Sequence, residues 1–272
     1  MQPKNIKVDG SLSSQFLTGL LISMAHSAVV KTEIEVSHLN SKPYIDITLQ
    51  ILKEFGYLVD HRDYKTFTIT PVKKEKSYID FTVEGDWSSA SFLFVAAAIH
   101  GDVTVSGLQI NSQQADKDIL KVLELAGAKV IIQQNSIRVI KNILRAFQFD
   151  ATHCPDLFPP IVALAAYCPG ETIITGIERL FYKETNRAET LKAEFEKLGV
   201  HISLHQNSMA IQGGSQINSC STYSHHDHRI AMALAIVATA AKEPILIDDA
   251  EAVNKSYPRF FNDLESLKTT NE

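Results

Sequence analysis

One supersecondary phrase occurs four times along this chain, and that repetition restricts the fold more than any other property of the sequence. Each copy is a short polar turn, an apolar helix, a β-rich stretch and a second helix. Three of the second helices close on glycine: Leu52-Lys53-Glu54-Phe55-Gly56, Leu123-Glu124-Leu125-Ala126-Gly127 and Phe195-Glu196-Lys197-Leu198-Gly199. Their glycines stand 71 residues apart (56 to 127) and then 72 (127 to 199). A fixed period that long marks a duplicated unit. The fourth copy starts at Asp227 and stops after its second helix, near Leu267. The chain therefore reads as a modular α/β protein whose function sits where the copies differ.

Within the first copy, the serines before residue 15 cap a helix over 15–28. The run 32–36 alternates as a half-exposed strand, and Ser41 and Pro43 open a helix that ends at Gly56. A further strand covers 67–70. The second copy has a helix from the Asp86-Trp87-Ser88-Ser89 turn to His100, a strand at 103–105 and a helix over 115–126. The third opens at His153-Cys154-Pro155-Asp156, with a helix through Tyr167, a strand at 172–174 and a helix over 185–198. The fourth has a helix from Asp227 to 241, a strand at 245–247 and a helix after Pro258. The lysine-rich stretch 73–76 reads as a solvated linker between the first two copies. The helices over 92–99 and 230–241 are apolar on every side, which predicts helices inside and sheets outside.

Composition excludes several classes. The net charge is −5, and no basic tract offsets it, so neither nucleic acid nor a membrane surface is an expected partner. No apolar run is long enough to span a bilayer. The first residues precede no signal-peptide core, so a cytoplasmic location is expected. Cys154, Cys168 and Cys220 are odd in number and widely spaced, which predicts reduced thiols and neither a disulfide framework nor a zinc site.

Chemistry collects at the helix starts. Free N–H groups there receive anions. At Ser13-Ser14-Gln15 capping and phosphate binding remain equally open; Ser88 and Ser89 read as plain caps. Lys183 and Arg187 lie near the start of one helix, Arg229 begins another and Lys255 lies just before a third. Each opposes the local dipole, at about 0.3–1 kcal/mol. Four misplaced cations predict an oxygen-rich anion bound among them. Asp156 and Glu184 stand beside them and can divide acid and base roles. The run His225-His226-Asp227-His228 has no second cluster with metal spacing, so no metal is expected.

These residues carry a resemblance. Asp9-Gly10-Ser11-Leu12-Ser13-Ser14-Gln15-Phe16, Ser41-Lys42-Pro43-Tyr44, Glu84-Gly85-Asp86 with Ser88-Ser89-Ala90, Lys183-Glu184-Thr185 with Arg187, and Asp227-His228-Arg229 followed by Lys255 resemble the EPSP synthases, 3-phosphoshikimate 1-carboxyvinyltransferases. The resemblance implies α/β lobes built from repeated βαβαββ units with helices inside. It implies one partial lobe (1–82, the last unit of the N-terminal lobe) and one nearly complete lobe (83–272, about three units). It also implies the reaction: the enolpyruvyl group of phosphoenolpyruvate passes to the 5-hydroxyl of shikimate 3-phosphate, with no cofactor. On this reading Ser13, Ser14, Gln15, Ser41, Tyr44, Asp156 and Lys183 meet shikimate 3-phosphate. Gln15, Arg187, Arg229 and Lys255 meet phosphoenolpyruvate, and Asp156 and Glu184 are the catalytic acids. The match covers about the last two-thirds of the family's length, so a truncated chain with weak or absent turnover is expected. His226 and Arg179 stand where the family often has Asn. The alternatives are an inactive binding or scaffold module of the same fold, or an enolpyruvyl transferase acting on UDP-N-acetylglucosamine.

Overall fold

The computed structural model describes residues 6–11, 13–72 and 78–267. The lysine-rich stretch 73–76 lies outside them. The chain divides into two compact units, Met1–Val83 with Gln113–Ala115, and Glu84–Ser112 with Asp116–Glu272.

The smaller unit runs β1 (Ile6–Asp9), α1 (Gln15–Ser27), β2 (Thr32–Ser37), α2 (Lys42–Glu54), β3 (Leu58–Arg62) and β4 (Thr66–Thr70). Its sheet has the order β1-β2-β4-β3, with β1 parallel to β2 and the other pairs antiparallel. Along β2, Thr32, Ile34 and Val36 are buried and Glu33, Glu35 and Ser37 exposed, the alternation of a strand with one wet face. Leu17 and Leu21 of α1 and Ile45 and Leu52 of α2 pack with Ile34, Phe67 and Ile69 of the sheet. Asp63 and Tyr64 join β3 to β4 with φ of 52° and 55°. Two left-handed residues make a turn whose twist suits a hairpin. The Tyr64 hydroxyl donates to Asp46 of α2 at 2.7 Å, which fixes the hairpin against the helix.

The larger unit repeats the phrase. First come α3 (Trp87–His100), β5 (Asp102–Ser106), a 3₁₀ turn (Ala115–Asp118) running into α4 (Ile119–Ala126), β6 (Lys129–Ile132) and β7 (Ser136–Ile140). Then follow β8 (Gln148–Asp150), a 3₁₀ turn (Pro155–Leu157), α5 (Phe158–Ala166), β9 (Gly170–Thr175), α6 (Arg187–Lys197), β10 (His201–Leu204) and β11 (Ser208–Gly213). Last are β12 (Ser221–Tyr223), α7 (His228–Ala238), β13 (Leu246–Asp248), a 3₁₀ turn (Ala250–Lys255) and α8 (Phe260–Ser266). The sheet β8-β9-β11-β10 has the same strand order and directions as the sheet of the smaller unit. The sheets β5-β7-β6 and β12-β13 are shorter versions of it. Helices α3, α5 and α7 pack against one another, and every residue of α5 is buried. Buried helices and outer sheets are the expected layering. Gly213 is needed where β11 passes the end of α5, because a Cβ there would lie 1.8 Å from the Ala165 carbonyl oxygen.

Several boundaries differ from expectation. The helix expected over 185–198 starts at Arg187, because Asn186 caps it and Tyr182–Thr185 form a loop. The apolar helix of the fourth copy ends at Ala238. Ser88 and Ser89 do not cap α3. The acceptor is the Asp86 carboxylate, which receives their N–H groups at 3.0 and 3.2 Å. Ser14 and Ser41 occupy cap positions, yet neither side chain caps its helix, and Ser41 is left-handed at φ 53°.

Candidate active site

In the larger unit, the starts of successive elements deliver charge to one cluster. Asp156 lies in the 3₁₀ turn before α5, and Lys183 and Glu184 in the loop before α6. Arg187 is the first residue of α6 and Arg229 the second of α7, while Lys255 ends the 3₁₀ turn before α8. Asp227 caps α7, its carboxylate accepting the Arg229 N–H at 2.9 Å.

Arg187 is the centre of the cluster and is wholly buried. Its Nε and Nη2 donate to Asp227 at 2.8 and 3.2 Å, its Nη1 to Asp156 at 3.0 Å and its Nη2 to Glu184 at 2.6 Å. Asp156 also pairs with Lys183 and Arg229, both at 3.1 Å. Lys255 donates to Glu184 at 2.8 Å, and Arg229 donates to the Ser88 hydroxyl. Lys183, Glu184, Arg187, Arg229, Lys255 and Asp156, all expected at a shared pocket, thus meet through direct ion pairs. A buried arginine needs carboxylates to offset its desolvation, and three surround it.

The charges set one another's ionisation. Burial alone would raise the Asp156 pKa, but Arg229, Lys183 and Arg187 hold it far below the carboxylate range. Glu184 is likewise lowered to about 2, burial being outweighed by Arg187 and Lys255. Both carboxylates are therefore ionised near neutrality. His228, buried beside them, is lowered to about 4 by burial and by Arg229, and so is neutral. Its Nδ1 makes no hydrogen bond among the described residues.

In the smaller unit, β1 and β2 are parallel, so α1 and α2 both start at the same edge of their sheet. That edge holds Ser13, Ser14 and Gln15 at the start of α1 and Ser41 and Tyr44 at the start of α2. The Ser13 hydroxyl accepts the Gln15 N–H at 3.1 Å. Asn40 donates to the Ser11 carbonyl at 2.9 Å and joins the two turns. Ser14 and Ser41 are buried. The larger unit likewise brings together its own six expected residues.

Two further groups of the cluster, Asp227 and His228, are not among the residues expected at the site, although both stand in the Asp227-His228-Arg229 run. A signal for Asp227 existed, since cations gathered at helix starts require buried counter-charge.

Two solved structures share this arrangement of elements. EPSP synthase from Acinetobacter baumannii superposes with a TM-score of 0.80 at 23% identity, over 97% of this chain and 63% of that one. The enolpyruvyl transferase NikO from Streptomyces tendae gives 0.75 at 15% identity, over 98% of this chain and 65% of that one. The fold is that of the enolpyruvyl transferases. The family model described as EPSP synthase (3-phosphoshikimate 1-carboxyvinyltransferase) matches residues 1–264. A 3-phosphoshikimate 1-carboxyvinyltransferase of Clostridium perfringens is 38% identical over 264 residues, 96% of this chain and 62% of the relative. One of Clostridioides difficile is 37% identical over 268 residues, 98% of this chain and 61% of the relative. The chain belongs to the EPSP synthase family, and it spans about three-fifths of the length of these relatives.

Proposed function

We propose that this chain serves the transfer of the enolpyruvyl group from phosphoenolpyruvate to the 5-hydroxyl of shikimate 3-phosphate. One observation carries the reading. In a chain of this family, a buried arginine and three more accessible cations are gathered with two ionised carboxylates at helix starts. Two anionic substrates repel each other, and bringing them together requires fixed positive charge already in place. Lys183, Arg229 and Lys255 are the cations an incoming anion reaches first, since each keeps some solvent exposure. Arg187 meets a substrate carboxylate only in exchange for one of its own, and Glu184 is the most exposed of its three partners.

The chemistry follows from the same charges. Oxygen of the 5-hydroxyl bonds to C2 of phosphoenolpyruvate while C3 gains a proton. The tetrahedral adduct then loses phosphate from C2 and a proton from C3, giving the enolpyruvyl ether. Asp156 is a weak base while Arg229, Lys183 and Arg187 hold it, and it accepts the hydroxyl proton once a substrate anion has engaged those cations. Glu184 is ionised, with no proton to donate, while Lys255 and Arg187 hold it. A substrate anion that draws Lys255 away raises the Glu184 pKa toward its ordinary value and makes it a usable acid. On this reading Ser13, Ser14, Gln15, Ser41 and Tyr44 bind the phosphate and ring hydroxyls of shikimate 3-phosphate. Asp156 and Lys183 meet the same substrate, and Arg187, Arg229 and Lys255, with Gln15, bind phosphoenolpyruvate.

Isothermal titration of the chain with each substrate tests this. Lys255→Met is expected to weaken phosphoenolpyruvate about tenfold and leave shikimate 3-phosphate unchanged; Ser14→Ala is expected to do the reverse. Equal loss of both ligands in both variants, or no binding by the unaltered chain, would overturn the assignment.

A further inference from the structure

The run that leads into α7 bends in an uncommon way. His225 and His226 follow one another with left-handed backbones, at φ of 55° and 57°. Residues other than glycine disfavour that conformation, and two in a row persist only where surrounding groups hold them. Two carboxylates from other elements do so here.

Glu194 of α6 is the first. It is buried, about two helical turns after Arg187. Its carboxylate accepts the Tyr223 N–H at 3.0 Å and lies 2.8 Å from His225 Nε2. Lys197 donates to both of its oxygens at 2.8 Å. Burial alone would raise the Glu194 pKa, but Lys197, His225 and the Tyr223 N–H lower it. The carboxylate is therefore ionised and only accepts, so His225 Nε2 carries the hydrogen between them. Asp249 is the second. It immediately precedes the 3₁₀ turn that ends at Lys255. It accepts the Ser224 hydroxyl and the His226 N–H, the latter at 2.9 Å, and lies 3.0 Å from His226 Nδ1. The Tyr223 hydroxyl and His226 Nε2, 2.9 Å apart, close the bracket. The next residue is Asp227, whose carboxylate accepts Arg187 Nε at 2.8 Å and the Arg229 N–H at 2.9 Å.

Three elements that carry cations of the cluster thus meet at one bend: α6 with Arg187, α7 with Arg229 and the 3₁₀ turn with Lys255. Resting on the anion-site reading above, we infer that Glu194 is a positioning residue of that site. Through His225 and the Tyr223 N–H it holds the left-handed bend against α6. The bend sets Asp227 on the guanidinium that the same helix presents two turns earlier. Arg187, Asp227, the bend, Glu194 and the backbone of α6 close into one ring. A guanidinium aimed by such a ring is in place before an anion arrives, and binding does not have to orient it. Lys197 shares the Glu194 carboxylate but forms no part of the ring, so its removal leaves Arg187 where it is.

Exchange of the Arg187 Nε hydrogen with solvent reads the ring without any ligand. The resonance is assigned through the bonds of its own side chain, in the whole chain labelled with nitrogen-15. In His225→Asn both this exchange rate and the dissociation constant for phosphoenolpyruvate, measured by calorimetry, are expected to rise about tenfold, as for one lost hydrogen bond to a charged group. Asparagine suits a left-handed backbone, so the change reports the missing link to Glu194 and not added strain. In Lys197→Met both quantities are expected to stay as in the unaltered chain. Exchange that is unchanged in His225→Asn, or that quickens equally in both variants, would overturn the proposal, and with phosphoenolpyruvate still bound it would leave the anion site intact. Quickened exchange with unaltered phosphoenolpyruvate affinity would overturn it as well, since the ring would then serve stability alone. Failure of the unaltered chain to bind phosphoenolpyruvate would overturn the anion-site reading itself, and with it the part of Glu194 in that site.

Discussion

Arg187 illustrates how one side chain is committed by its surroundings. It is buried, and its described hydrogen bonds all end on carboxylates. Replacing it with methionine keeps the volume and abandons Asp227, which has no exposure at all. Breaking a buried pair from one side costs about 3–5 kcal/mol. Urea unfolding of Arg187→Met should show a loss of that size, and a loss below about 1 kcal/mol would mean the cluster does not hold the larger unit together. His228 gives a pH test. Its folded pKa of about 4 is below the 6.5 of a free imidazole. The unfolded chain therefore takes the proton first as pH falls. Stability from this residue is full above pH 6.5 and is lost progressively down to about pH 4. His228→Gln should flatten that interval in thermal unfolding scans. At this scale the sequence was informative about cations and much less so about their partners. A lysine or arginine at a helix start breaks a local rule and stands out. Asp227 and Asp86, by contrast, are good cap residues, and a good cap raises no question about what else it does.

Among elements, the three glycine closures repeat bond for bond. Gly56, Gly127 and Gly199 have φ of 78°, 96° and 84°. In each, the glycine N–H returns to the carbonyl three residues back, and the next N–H to the carbonyl five back, at 2.8 to 3.1 Å. That is the left-handed helix stop that glycine adopts at least cost. The surroundings differ, and so do the expected penalties. At Gly56 a Cβ meets nothing within 4 Å, so Gly56→Ala should lose about 1 kcal/mol from conformation alone. At Gly127 it would lie 2.6 Å from the Ile143 carbonyl oxygen, and Gly127→Ala should lose roughly twice that or more. Denaturant midpoints of the two variants check the order. These closures were legible because the requirement is local. The strands β1, β3, β6, β7, β8, β10, β11 and β12 were not anticipated individually. Along β3, Leu58-Val59-Asp60-His61-Arg62 is mostly exposed, with no buried residue to supply an alternation, and its place is set by pairing with β4. The expected start of α6 was two residues early for a related reason: Thr185 and Asn186 are helix-compatible, and only the Asn186 cap, accepting the Glu189 N–H, decides where the helix begins.

At the scale of the whole molecule, sheet edges and buried helices have different consequences. In the sheet β12-β13 each strand has one partner among the described residues, and Leu246 on β13 is 62% exposed. An open edge with an apolar side chain invites pairing between copies. Leu246→Lys should lower concentration-dependent light scattering several-fold while changing stability by less than about 0.5 kcal/mol. Unchanged scattering would show that this edge is not sticky. The fourfold phrase announced the layering of helices within and sheets without, because a helix apolar on all sides has nowhere else to go. Helix α5 takes this furthest, with all nine residues from Phe158 to Ala166 shielded from water. In a saturation library it would form an unbroken block closed to every charged residue, and no fluorophore, affinity handle or crosslinker could be attached along it without dismantling the unit it runs through.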